Sequence, residues 1–160
     1  QPKPPAAHWS KERLAKGARN YALEYCRNGV RELVKVIGRE RALALAKRAA
    51  RLTGLQQSRH MIEMLKCNDG DHLDAARLLA QAFRGMGDQT EFSANNGTAT
   101  VPQSGLRVVR GMAAEERADM LACWTELWRG AIDAQRSFKT ISITKTEASL
   151  VWAISMKETT

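Results

Sequence analysis

The sequence predicts an α+β fold: a helical N-terminal half packed on one side of an antiparallel sheet of about five strands, with one long late helix. Three observations predict it. Apolar residues recur at steps of three and four through residues 9–87. After Gly87 the apolar period changes to two. Asn95-Asn96-Gly97 then offers the positive φ angles that a tight hairpin needs. The chain has 160 residues, enough to bury a sizeable core and too few for two typical domains. The expected organisation is a flexible, Pro-rich arm over 1–8 and one α+β domain over 9–160, helical to residue 87 and sheet plus helix from 88 onward.

The elements follow in order. Ser10 precedes Lys11-Glu12 as the expected N-cap. Leu14, Ala18, Tyr21, Tyr25, Leu33 and Ile37 form one apolar stripe on a first long helix, with Asn28-Gly29 a point where it could kink or end and Gly38 its natural stop. A second helix starts near Arg39, with Ala42, Leu45, Ala46, Ala49 and Leu52 as its buried stripe and Thr53-Gly54 a possible break before a further helical stretch to residue 66. A loop follows Cys67, and Asp71 can cap a third helix whose Leu73, Ala76, Leu79, Ala80, Phe83 and Met86 share a face. Strands are expected at 91–94, 98–101 and 106–109, a helix over 113–135, and two closing strands over 139–145 and 150–156. In the last strand Leu150, Trp152, Ile154 and Met156 point one way. Val151 and Ala153 point the other, which suggests that both faces are covered.

Charge is unevenly distributed. Residues 1–66 hold 15 Lys+Arg against 5 Asp+Glu, and residues 67–160 hold 10 against 12, so the net +8 arises from the first part of the chain. A basic excess fits nucleic acid, an acidic partner or an anionic substrate, or simply a solvated helix face. The composition excludes collagen, low-complexity and disulfide-stapled classes, and no apolar run is long enough for a membrane span. Cys26, Cys67 and Cys123 are widely spaced, with no CxxC or CxxH pair, so neither a structural zinc site nor a cofactor is implied. Free thiols suggest a reducing compartment, and cytoplasm is the expected location.

Chemistry-bearing candidates are few. No Gly-rich phosphate loop, HExxH or GxSxG is present. The Cys67-to-His72 run holds a thiol, carboxylates and an imidazole, but loops and helix caps use the same residues. On the late helix, Cys123 and Glu126 are three apart and project from neighbouring turns, placing a carboxylate beside a thiol.

These residues carry a resemblance. The stretch 108–156 resembles the L-2-amino-thiazoline-4-carboxylic acid hydrolase family. The matching features are a Cys-x-x-acid step (Cys123, Glu126), a following Gly130, a Thr-x-Thr step (Thr144, Thr146) and a closing strand. The Gly38-Arg39-Glu40-Arg41-Ala42 helix start is similar as well. Two departures stand out. Arg110-Gly111-Met112 occupies the place of a Cys-Pro step, and the last strand carries Trp152 where the family tends to have a Cys.

The resemblance implies hydrolysis of a C–N or C=N bond of a small, amidine-like ring by base-activated water. Glu126 would be the base or amidine-binding carboxylate. Cys123, Thr144 and Thr146 would be polar wall groups, and Trp124, Trp128 and Trp152 would be stacking surfaces. Arg110, or its neighbour Arg107, would pair with a substrate carboxylate. On that reading Glu126→Gln abolishes turnover and spares the fold. A second reading keeps the fold as a non-catalytic ligand-binding or assembly protein, and the apolar helix faces leave room for a homo-oligomer. A third, nucleic-acid binding through the basic helices, is disfavoured because aromatics are not interleaved with most of the Lys/Arg run.

Overall fold

The computed structural model describes residues 8–67, 70–135 and 138–157. The arm assigned to 1–8 lies, except for exposed His8, outside the described residues. The fold is α+β. Helices α1 (Lys11–Ile37), α2 (Arg39–Leu65) and α3 (His72–Met86) precede strands β1 (Ser93–Asn95) and β2 (Thr98–Ser104). A short 3-10 turn (Arg107–Val109), helix α4 (Ala114–Asp133) and strands β3 (Lys139–Lys145) and β4 (Ser149–Met156) follow.

Local chemistry sets the helix ends. Ser10 Oγ accepts from Arg13 N at 3.2 Å, and Asp71 Oδ1 accepts from Asp74 N at 2.8 Å. Gly38, at φ 82° and ψ 154°, closes α1 and opens α2 with a single residue between them. That conformation is open to glycine and strained for other residues. Neither Asn28-Gly29 nor Thr53-Gly54 interrupts its helix, contrary to expectation. Glycine inside a long helix costs about 1 kcal/mol, which tertiary packing readily offsets.

Gly54 shows how. A Cβ there would lie 1.9 Å from the Leu127 carbonyl oxygen, and one on Gly130 would lie 2.2 Å from the Arg51 carbonyl oxygen. The two glycines let the α2 and α4 backbones approach to direct contact. The face of α2 turned to α4 therefore runs through Ala42, Ala46, Ala50, Gly54 and Ser58, spaced four apart. Of the expected stripe, Ala42 is buried and Ala46 half-buried, whereas Leu45, Ala49 and Leu52 are exposed.

Helix α1 is also turned away from its expected orientation. Its inner side is Leu23, Cys26, Arg27, Val30 and Val34, while Leu14, Ala18, Tyr21 and Tyr25 face out. Both sets have helical spacing, so periodicity alone does not choose between them.

The sheet has the order β1-β2-β4-β3, antiparallel throughout. Among the described residues it has four strands, not about five. The expected strand at 106–109 is instead the 3-10 turn, with Val108 and Val109 buried under α1 and α4. Asn96 (φ 49°) and Gly97 (φ 76°) form the expected hairpin turn between β1 and β2. One sheet face, with Ala99, Val101, Leu150, Trp152 and Ile154, packs into the core shared with α3 and α4. The other face is uncovered, because Val151 and Ala153 are only half-buried and Ser142 and Thr144 are exposed. Among the described residues, no helix is long and apolar enough to cross a membrane.

Candidate functional site

The residues singled out from sequence do not meet in one place. Glu126 lies on the rim of the α2–α4 contact, its side chain 29% exposed. One oxygen is 3.6 Å from Arg51 Nη1 and the other 3.7 Å from Arg129 Nε. Arg51 also holds Asp133. Both oxygens of this carboxylate are thus directed at guanidinium groups on the protein surface rather than into a hollow. Cys123 is buried, and desolvation pushes its thiol up to about 11. Asp119 and Glu126 push the same way, with Lys47 opposing. It is a protonated core thiol at neutral pH.

The tryptophans form part of the core. Trp124 and Trp128 meet edge to face at 5.4 Å, Trp128 meets Phe83 edge to face at 5.3 Å, and Phe83 lies tilted 6.1 Å from Trp152. Aromatic surface expected to stack on a flat ring is thus spent on other aromatic rings. Thr144 is exposed on β3. Thr146 shapes the β3–β4 turn, its Oγ1 accepting from Ser149 N at 3.0 Å and from Ala148 N at 3.4 Å. In the Cys67-to-His72 run, Cys67 is buried and its thiol donates to the Asp74 carbonyl at 3.8 Å, while Asn68 and Asp69 lie outside the described residues.

Arg110 is different. It borders a hollow of about 330 Å³ between α1 and the 3-10 turn, lined by Asn20, Leu23, Glu24, Arg27, Arg107 and Arg110. The 3-10 geometry explains why two of these arginines face it together. With three residues per turn, side chains three apart eclipse one another, and Arg107 and Arg110 are three apart. Helix α1 delivers Arg27 from the opposite wall, on the Leu23-Arg27-Val30-Val34 side that faces inward.

Three arginines therefore border the hollow, with Glu24 the one acidic residue of its lining. The Glu24 carboxylate accepts from Arg27 Nη1 at 3.1 Å. Arg27 Nη2 donates to the Arg110 carbonyl at 2.8 Å, which ties α1 to the turn, and its Nε is buried without a partner. Two smaller hollows continue along α1 on either side. One shares Asn20 and includes Arg13 and Lys16; the other shares Arg27 and includes Arg31 and Lys35.

A buried network sets the turn. Asp88 Oδ1 accepts from Arg107 N at 3.1 Å, and Asp88 Oδ2 accepts from Gln103 Nε2 at 2.8 Å. Gln103 Oε1 in turn accepts from Trp152 Nε1 at 3.2 Å. Burial pushes the Asp88 carboxyl up, while the two hydrogen bonds and the Arg107 and Arg19 charges pull it back. The position of Arg107 is thereby linked to the sheet centre.

A further hollow, about 420 Å³, is an apolar groove between α2, α3 and α4 that includes Met61, Met64 and Met86 and no charged side chain. Among the described residues, no group of three or more His, Cys, Asp or Glu is placed to hold a metal ion.

Sequence reasoning missed Arg27 and Asn20 as parts of the hollow between α1 and the 3-10 turn. The available signal was an arginine set within the apolar steps Leu23, Val30 and Val34, which is unusual for a solvated face. No protein-family model matches this chain, and no curated protein matches it.

Proposed function

We propose that the protein is a non-catalytic binding protein for a small, carboxylate-bearing molecule, held in the hollow between α1 and the 3-10 turn. The observation that carries this reading is the set of three arginines, Arg27, Arg107 and Arg110, around one hollow whose single carboxylate is already paired. Guanidinium groups match the planar fork of a carboxylate. Leu23 supplies an apolar wall, which favours a ligand with a carbon skeleton over a bare inorganic ion.

The hydrolase reading has less support. Its base, Glu126, sits between Arg51 and Arg129, and its thiol is buried and protonated. Nucleic-acid binding has less support too. Arg31, Arg39 and Arg51 are each tied to a carboxylate, which reduces the free positive charge of the helices.

Calorimetric titration with citrate and with inorganic phosphate at low ionic strength tests the proposal. Citrate is expected to bind, with affinity falling as salt rises. Arg107→Gln and Arg110→Gln should each weaken it roughly ten- to a hundredfold, since a hydrogen bond to a charged group contributes about 1.5–3 kcal/mol. Unchanged affinity in both variants would overturn the reading.

Glu126→Gln separates the two functional readings. Here it is expected to leave citrate affinity unchanged and to shift stability by no more than about 1 kcal/mol, as for exposed ion pairs. Turnover of a cyclic amidine by the wild type, abolished in Glu126→Gln, would restore the hydrolase reading.

A further inference from the structure

Helix α1 carries an uncharged stripe on the side away from the core: Leu14, Ala18, Tyr21 and Tyr25. Both tyrosines are 82% exposed. Single exposed apolar residues are ordinary on a protein surface, but four on one face over three turns are a patch. We propose that this stripe joins two copies of the chain, their α1 helices packing antiparallel about a twofold axis between Tyr21 and Ala22.

The stripe is complementary to itself under that operation. Antiparallel pairing about this axis sets Tyr21 over the partner's Ala22, Tyr25 over the partner's Ala18, and Leu14 over the partner's Gly29. Every large side chain thus meets a small one. Gly29 leaves an open notch, because a Cβ there would meet nothing within 4 Å. Such matching of large and small residues is what an isologous helix contact requires.

Charge agrees with the same register. Lys11 falls opposite the partner's Glu32 at each end, and no charged side chain interrupts the face between them. The uncharged centre gives no attraction to an anionic surface, so a second copy fits better than a lipid bilayer.

The area sets the strength. Each buried aromatic covers on the order of 150–250 Å². Four tyrosines and two leucines together reach on the order of 1,000 Å², near the lower bound for a specific interface. The dimer is therefore expected to dissociate on dilution.

Sedimentation velocity over a wide concentration range tests this. The wild type should shift from monomer to dimer as concentration rises. Tyr21→Glu combined with Tyr25→Glu should stay monomeric throughout, with an unchanged melting temperature in dilute solution because both side chains are exposed. Lys11→Glu and Glu32→Lys should each weaken association severalfold, and the two together should restore it.

Three results would overturn the proposal. One is a wild type that remains monomeric at its solubility limit. Another is a dimer indifferent to the tyrosine changes or not restored by the charge exchange. The third is a monomer whose stripe instead binds vesicles of phosphatidylcholine and phosphatidylglycerol.

Discussion

Replacing Gly54 with alanine is expected to destabilise the protein by about 3 kcal/mol or more, at or beyond the upper end of overpacking costs. The added methyl would fall 1.9 Å from the Leu127 carbonyl oxygen, 2.8 Å from Ala131 N and 2.9 Å from the Leu127 carbonyl carbon. All three obstacles are backbone atoms, so no rotamer change relieves them. The helices must separate, and separation loosens the whole Ala42-to-Ser58 face at once. The local preference runs the other way, because alanine is the better helix former by about 1 kcal/mol. Gly85→Ala is the control. It lies within α3 and a Cβ there meets nothing within 4 Å, so it should be neutral or slightly stabilising. Urea unfolding followed by circular dichroism measures both. Wild-type stability in Gly54→Ala would mean that α2 and α4 do not touch through their backbones.

The second large effect is expected at Trp152. It is fully buried, lies tilted against Phe83, and donates to Gln103. Trp152→Ala should cost about 3–5 kcal/mol through lost apolar burial and the remaining cavity. Trp152→Phe keeps most of the ring but leaves Gln103 Oε1 buried without its donor, which costs about 1–3 kcal/mol. The network continues from Gln103 through Asp88 to the Arg107 backbone. Trp152→Phe should therefore also weaken citrate binding, although Trp152 does not line the hollow. Calorimetry and denaturant titration on the same sample measure both effects. A Trp152→Phe protein as stable as wild type would show that the buried hydrogen bond contributes nothing.

Much of the fold was legible before any coordinates, for reasons particular to each element. Ser10 and Asp71 cap the helices that follow them, and Gly38 separates two helices, because capping depends on groups within one turn of chain. Asn96-Gly97 forms its hairpin for the same reason. The strand expected at 106–109 was misread because two buried valines in a row suit a strand and a packed 3-10 turn alike. At Thr53-Gly54, glycine reads locally as a break, yet here it is what lets α2 lie on α4.

The candidate site was less legible. Arg110, together with its neighbour Arg107, was singled out from sequence and borders a hollow with it; Glu126, Cys123, Thr144, Thr146 and the tryptophans were singled out as well and are dispersed among an ion-paired rim, the core, the exposed face of β3 and a turn. Spacing along one helix shows which side chains share a face. It does not show what that face meets.

By itself, then, the chain's order of residues determined the α+β class, the main helices, the β1–β2 hairpin and the two closing strands. Caps, turns and apolar periods act over a few residues, so they are written where they operate. Tertiary structure alone decided which of two apolar stripes α1 buries, that α2 turns its small residues inward, and that Arg27 meets Arg107 and Arg110. Those outcomes depend on burial summed over contacts between segments far apart in sequence, and no local pattern carries that sum.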